Sequence, residues 1–396
     1  MSKKFSPKRF FASAFLSLLW SYLLIGNAYA EQNPAVNANS LCYNSTESNA
    51  VATESTDVTH KRVKRWLNGK PAVVNIIIVE GAGKMVVKPT YGEYKLNNVK
   101  RVSDFASREN AIAAVNASFF KPDTNAPLGI SVIEREILTG SIYNRVVFGI
   151  TETDEFIMGK PNVKGTIKIG KNLELTANNI NQPMVGKGGY IIYTDRWGKM
   201  TPATSQEYCH IVVKDNKIAY VKQSSIGIPE NGYVLVGPRS LVTGRINAND
   251  EVSYSLRLTP DGWNDVKYAV GGGPYLVQDG KIFVDKQHFT NSFLWRKEPR
   301  TAIGYTKAGT LVMVTIDGRK KGVSEGATMG ELAKIVSNAS ELFPDPLTPV
   351  NTTSWSLGIV TLTFLRLCWF APLTTMFSFF MIIVDRSFVT LTYIIS

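Results

Sequence analysis

Cysteine and histidine are both scarce, with three of each in 396 residues. Cys42, Cys209 and Cys368 are odd in number and form no CxxC pair, so neither a disulfide framework nor a thiolate metal site is indicated. His60, His210 and His288 lie far apart without metal-ligand spacing, so no metal is expected from them. With no GxSxG motif either, a nucleophilic triad is disfavoured. The chain has no GxxxxGK[ST] motif and hence no P-loop. It shows no helix-turn-helix, zinc-finger or RNA-binding pattern, so no nucleic-acid partner is expected. No period of 20 to 50 residues marks a solenoid or propeller. Acidic residues are outnumbered, 32 Asp and Glu against 44 Lys and Arg, which gives a net charge of +12. That balance favours anionic partners such as phosphates, acidic glycans or a membrane surface.

Apolar residues make up 44% of the chain and charged residues 19%. This suits a folded protein of one large domain or two ordinary ones. Residues 1–30 read as a signal peptide: the basic "MSKKFSPKRF", the apolar "FASAFLSLLWSYLLIG", then Ala28-Tyr29-Ala30 before Glu31. The expected location is therefore outside the cytoplasm: extracellular, periplasmic or in the cell envelope. Residues 31–64, rich in Asn, Ser, Thr and Ala, hold too few large apolar groups to offset ordering entropy and read as a disordered linker. "HKRVKRW" then forms a basic lead-in to a domain over 65–336.

Within that domain the apolar runs are short and β-branched. "AVVNIIIVE" suits a buried strand, and "KMVVKPTYG" a second. Ser103 is placed to cap a helix that precedes a strand at Ala113 to Val115. Asp215-Asn216 marks a hairpin turn. Thr328 and Glu331 form a capping box that opens a helix bearing Leu332, Ile335 and Val336 on one face. "RTAIGYTKAGTLVMVTIDGR" reads as two strands, Thr301 to Tyr305 and Leu311 to Ile316, with Arg300 at the start and Asp317-Gly318-Arg319 at the end. The fold class is α+β, with strand-rich mixed sheets and few helices.

Residues 337–396 differ in character. Pro344, Pro346 and Pro349 cluster, and an apolar stretch from Leu357 to Val384 follows, interrupted only by Arg366 and Pro372. It holds enough residues to span a bilayer. One reading is a membrane contact through this tail. The other is a frame error, so that residues from Ser337 onward lie outside the folded core.

Four polar clusters follow the apolar runs, where loops commonly present site residues. They are Asn116 to Phe120, Gly271-Gly272-Gly273-Pro274, Arg300-Thr301, and Asp317-Gly318-Arg319 with Ser324-Glu325-Gly326. Consecutive glycine N–H groups suit an oxyanion, although a triple glycine also serves as a turn or bulge. Arg300 and Arg319 could hold a phosphate bidentately. Asp317 could act as acid, base or nucleophile, although Asp-Gly-Arg is also a common solvated turn.

Taken together, "NASFF", "GGGPYLVQDGK", "RTAIGYTKAGTLVMVTIDGR" and "SEGATMGELAKI" resemble the phosphodiester glycosidase family over roughly residues 65 to 335. The resemblance implies a phosphodiester glycosidase-like fold. It also implies hydrolysis of the bond between a sugar anomeric carbon and a phosphodiester oxygen, in envelope or extracellular glycans. On this reading Asp317 and Glu325 are the candidate catalytic carboxylates. Asn116, Gly271, Gly272, Gly273, Arg300, Arg319 and Ser324 bind an anionic glycan or glycosyl-phosphodiester. No cofactor is specified. The family's Asn-Leu-Asp-Gly-Gly-Gly-Ser-Ser motif does not follow Ile335, so the site is expected to be incomplete and turnover impaired. Two other readings stay open: a non-catalytic glycan- or phosphate-binding module, and a membrane-anchored envelope protein.

Overall fold

Short runs rich in Val, Ile, Thr and aromatic residues fit a pleated, half-buried surface. Among the described residues they build five sheets. The computed structural model describes residues 58–80, 85–92, 95–121, 125–183, 188–338, 358–361 and 379–385. The signal-peptide reading over 1–30, Cys42, Cys368 and the proline cluster lie outside the described residues.

The central sheet has seven strands in the order Val58–Leu67, Lys70–Val79, Leu311–Ile316, Arg300–Tyr305, Gly358–Thr361, Tyr275–Gln278 and Lys281–Ile282. Its neighbours pair antiparallel throughout. Side chains alternate between the two faces of a strand. Ala72, Val74 and Ile76 therefore meet Ala302, Val314 and Ile316 on one face, beneath the helices Asn291–Trp295 and Met329–Ser337. Val79, Ile303, Leu311 and Met313 occupy the other face, with Phe148, Tyr268 and Met381. Each such large apolar side chain contributes about 1.5–3 kcal/mol on full burial.

That second face is covered by two further sheets. One has three strands, Met85–Tyr91, Phe379–Asp385 and Ala113–Asn116; the other has five and includes Val147–Thr151 and Val266–Gly271. A second seven-stranded sheet, built from residues 162–259, is inserted between the strands Phe156–Gly159 and Val266–Gly271. In it Asp215 and Asn216, at φ 48 and 58, make the two-residue turn between Tyr208–Lys214 and Lys217–Lys222. A hairpin loop of two left-handed residues matches the twist of its flanking strands.

Three sequence-based expectations are corrected. The folded region begins before residue 65, because Val58–Leu67 pairs along its whole length with Lys70–Val79. Residues 58–64 are thus strand, not linker. As an edge strand it borrows its hydrogen bonds from a buried partner and needs little apolar content of its own, and its Lys and Arg residues discourage further pairing. Secondly, the helix Val102–Arg108 begins after Arg101, whose N–H donates to the Asp104 carboxylate at 3.2 Å. Ser103 sits inside the first turn and caps nothing. Thirdly, the tail is not wholly outside the core. Gly358–Thr361 lies between Arg300–Tyr305 and Tyr275–Gln278. Phe379–Asp385 lies between Met85–Tyr91 and Ala113–Asn116, with Met381 and Ile383 buried. A buried central strand and a membrane segment share the same composition, so the apolar run did not separate them. Among the described residues no helix is long and apolar enough to cross a membrane.

Candidate functional site

Register across the central sheet builds one polar row. Arg62 stands opposite Asn75, Asn75 opposite Thr315, and Thr315 opposite Thr301. Directly paired residues share a face, so these four side chains lie together, on the face away from the two helices. Asn75 Nδ2 donates to Thr315 Oγ1 at 3.4 Å, and Thr301 Oγ1 donates to Asn116 Oδ1 at 2.7 Å. Asp317 follows Thr315 by two residues and returns to the same face, where it pairs with Arg62 at 3.8 Å. The row ends in a cavity of about 460 Å³ whose lining includes Asn116, Thr301, Thr315, Asp317, Arg319 and Lys320. A ligand there meets hydroxyl and amide groups on the floor, with one carboxylate and two cationic side chains at the rim.

The Asp317-Gly318-Arg319 loop is held tightly. A Cβ at Gly318 would lie 2.6 Å from the Pro299 nitrogen, so only glycine allows this close pass. Arg319 has a left-handed backbone at φ 64, an uncommon conformation for a residue with a side chain. Its Nε donates to Glu298 Oε2 at 2.8 Å, which fixes the guanidinium beside the cavity.

Five residue assignments need correction. Arg300 faces Ile316 and so projects toward the helices, away from Thr301 and Asp317. It is 2% exposed, and its Nε donates to the Ala327 carbonyl and its Nη2 to those of Phe293 and Arg296. Burial lowers its pKa to about 10. Arg300 contributes to the cavity wall together with Asp317, but its Nε and Nη2 are spent on main-chain carbonyls, and Nη1 is buried without a hydrogen-bond partner. Ser324 is buried as a latch: its Oγ accepts from the Val73 N–H at 2.8 Å and donates to the Asp317 carbonyl at 2.7 Å. Glu325 lies outside the cavity lining and pairs with Lys70 at 2.6 Å. That hydrogen bond holds its carboxyl below the usual range. Gly271 and Gly272 donate their N–H groups to the carbonyls of Ile130 and Val146, so neither is left for an oxyanion. Gly273 has φ 120, a backbone conformation that a residue with a side chain rarely adopts.

Residues 207–341 match the family model described as phosphodiester glycosidase. This chain resembles that family. The matched segment carries Gly271 to Gly273, Arg300, Asp317, Arg319, Ser324 and Glu325, but not Asn116. Two solved structures share the fold of this chain. One is a hypothetical protein from Synechocystis, at TM-score 0.68 and 20% identity, which covers 83% of this chain and 62% of that one. The other is from Burkholderia pseudomallei, at TM-score 0.61 and 16% identity, covering 80% and 74%. A zebrafish N-acetylglucosamine-1-phosphodiester α-N-acetylglucosaminidase catalytic domain, auto-inhibited by its pro-peptide, aligns at TM-score 0.45 and 12% identity over 86% and 88%. This chain thus spans less than two thirds of the Synechocystis chain. No curated protein matches it.

The sequence reading missed Arg62, Asn75, Thr315 and Lys320 in this polar row and cavity. Thr315 sits inside an apolar run and Arg62 inside the supposed linker, so only register reveals them. The Asn68-Gly69 turn, at φ 47 and 75, was the legible sign that Arg62 lies on a hairpin. Arg145 was also missed; no motif marks it. Among the described residues no group of three His, Cys, Asp or Glu side chains is arranged to hold a metal.

Proposed function

We propose that this protein hydrolyses glycosyl phosphodiesters in envelope or extracellular glycans, after export. One observation carries the reading: Asp317 shares a cavity with Arg319, Lys320, Asn116 and Thr301, in a fold of the phosphodiester glycosidase type. A phosphodiester is already a good leaving group, so charge stabilisation matters more than proton donation. Arg319 and Lys320 would face the phosphate oxygens. Asp317 would steady the oxocarbenium-like centre or activate water. Asn116 and Thr301, already hydrogen-bonded to each other, would orient sugar hydroxyls.

The experiment is release of reducing sugar from a defined glycosyl phosphodiester. Asp317→Asn should lower the rate about 10²–10⁴-fold, while Glu325→Gln should leave it close to that of the unsubstituted protein. Full activity in Asp317→Asn would sink the assignment.

A second reading, a non-catalytic glycan- or phosphate-binding module, is favoured by the lining itself. Among the described residues Asp317 is the one carboxylate in the cavity wall, where glycosidases commonly use two. Binding without sugar release, unchanged in Asp317→Asn, would support it.

A further inference from the structure

The strongest unexplained group outside that cavity is Arg145. It precedes the strand Val147–Thr151 and lines a crevice with Gly129, Ser141, Gly271 and Gly272 that is too tight to admit a water molecule. Its guanidinium carbon lies 4.1 Å from the ring centre of Phe289, 4.8 Å from that of Phe119 and 5.3 Å from that of Tyr143. Aromatic faces stabilise the positive charge but accept none of the five in-plane N–H donors. Nε is buried without a hydrogen-bond partner. Nor does a carboxylate of the described residues pair with this cation. Other enclosed cations differ in having polar partners: Arg300 meets three carbonyls, with Nη1 alone left over, and Lys297 meets Glu331 at 2.6 Å.

Backbone strain gathers at the same place. Tyr143 and Asn144, on one side of Arg145, have φ values of 53 and 50. Gln287 and His288, on the other, have 35 and 60. Two consecutive left-handed residues on each side of one side chain are costly, and such outliers cluster at ligand sites. The two sides are tied together. Gln287 Oε1 accepts from the Val146 N–H at 3.0 Å, and the Tyr143 and His288 rings approach to 6.5 Å. Lys160 anchors Asp285 at 2.9 Å, which steadies the 285–289 segment. Tyr143 remains half exposed, so the cage opens to solvent on that side.

We propose that this aromatic cage is an anion-binding site in which Arg145 supplies in-plane N–H donors to a phosphate-class oxyanion. The site stands on geometry alone; only the identity of its physiological ligand, a glycosyl phosphodiester, rests on the proposed function. Burial lowers the Arg145 pKa to about 10, which leaves it cationic at neutral pH. The cage also gives the "NASFF" and triple-glycine segments a shared role. Phe119 forms one wall, and Gly271 and Gly272 supply close backbone packing rather than N–H donors.

The test is calorimetric titration of the full chain with inorganic phosphate, with a glycosyl phosphodiester, and with a neutral methyl glycoside. Both anions should bind and the neutral sugar should not. Arg145→Gln should weaken phosphate binding by at least about tenfold, the loss expected for charge-assisted hydrogen bonds. Arg145→Lys should recover part of it. Undiminished phosphate binding in a folded Arg145→Gln protein overturns the proposal. If that variant fails to fold, crystals of the unsubstituted protein soaked in tungstate decide. An anomalous peak against the Arg145 guanidinium supports the site, and peaks elsewhere only, or none, refute it. Binding through Arg145 without sugar release would refute the proposed hydrolysis but not this site. Sugar release and phosphate affinity both unaffected in Arg145→Gln would do the reverse.

Discussion

Arg300 meets three main-chain carbonyls through Nε and Nη2, and this commits those two nitrogens to the fold before any ligand arrives. Alanine at this position would leave those carbonyls without donors and open a cavity against Phe293. Each buried unpaired group costs about 1–3 kcal/mol. Arg300→Ala should therefore lower stability by about 3 kcal/mol or more in urea denaturation, while the folded fraction keeps its affinity for a phosphodiester. A variant as stable as the unsubstituted protein, but weak in binding, would return Arg300 to the site. The sequence showed that Arg300 is a charged residue beside an apolar hairpin. It could not show the face, because side chains alternate along a strand and one residue of register reverses the answer. Asp317 and Arg319 were easier to place, since a tight Asp-Gly-Arg loop at a strand end is exposed wherever the strand packs.

Elements whose cause is local were legible almost to the residue. The hairpin is observed as Arg300–Tyr305 and Leu311–Ile316, with turn chemistry and β-branched runs to explain it. The capping box at the start of Met329–Ser337 forms as expected: Thr328 Oγ1 accepts from the Glu331 N–H at 3.1 Å, and the Glu331 carboxylate accepts from the Thr328 N–H at 2.9 Å. The fold adds to Glu331 what the helix alone cannot. Lys297 at 2.6 Å and Asn68 at 2.7 Å both donate to its Oε1. Burial raises the carboxyl pKa, but the bonds from Lys297 and Thr328 outweigh it and hold the group below its usual range. A depressed folded pKa stabilises above the unfolded value and loses that contribution as pH falls through the folded value. Glu331→Ala should cost about 3 kcal/mol at neutral pH by leaving Lys297 enclosed and unpaired. The gap between the two proteins should narrow in acid, below the carboxylate's ordinary value of 4.5. A gap independent of pH would show that helix propensity, not the ion pair, is responsible.

At the scale of the molecule, the deciding feature is Gly358–Thr361. It fills the place between Arg300–Tyr305 and Tyr275–Gln278, and Val360 pairs with both Ile303 and Tyr275. Proline in a central strand removes a ladder hydrogen bond and is hardly tolerated there. Val360→Pro should therefore destabilise the chain by about 3 kcal/mol or more and speed amide exchange at Ile303 and Tyr275. Unchanged exchange would place the tail outside the sheet after all. The same sheet links the two candidate sites: its polar row ends at the Asp317 cavity, and the cage around Arg145 abuts the helix-covered core through Phe119, Phe289 and Phe293.

What the sequence determined by itself is whatever depends on a few consecutive residues. That includes the α+β class, the turn at Asp215-Asn216, the hairpin, the capped helix, the strand that ends near Asn116 and the loop that carries Asp317 and Arg319. Turn geometry, capping and strand periodicity act within a handful of positions, so their causes are written in order along the chain. Tertiary structure decided the rest. It made residues 58–64 an edge strand, drew two segments of the tail into sheets and turned Arg300 toward the helices. It also set Arg62, Asn75, Thr315 and Thr301 in one row and enclosed Arg145 without a partner. Each of these depends on pairing register or burial between residues far apart in the chain, and neither quantity has a local signature.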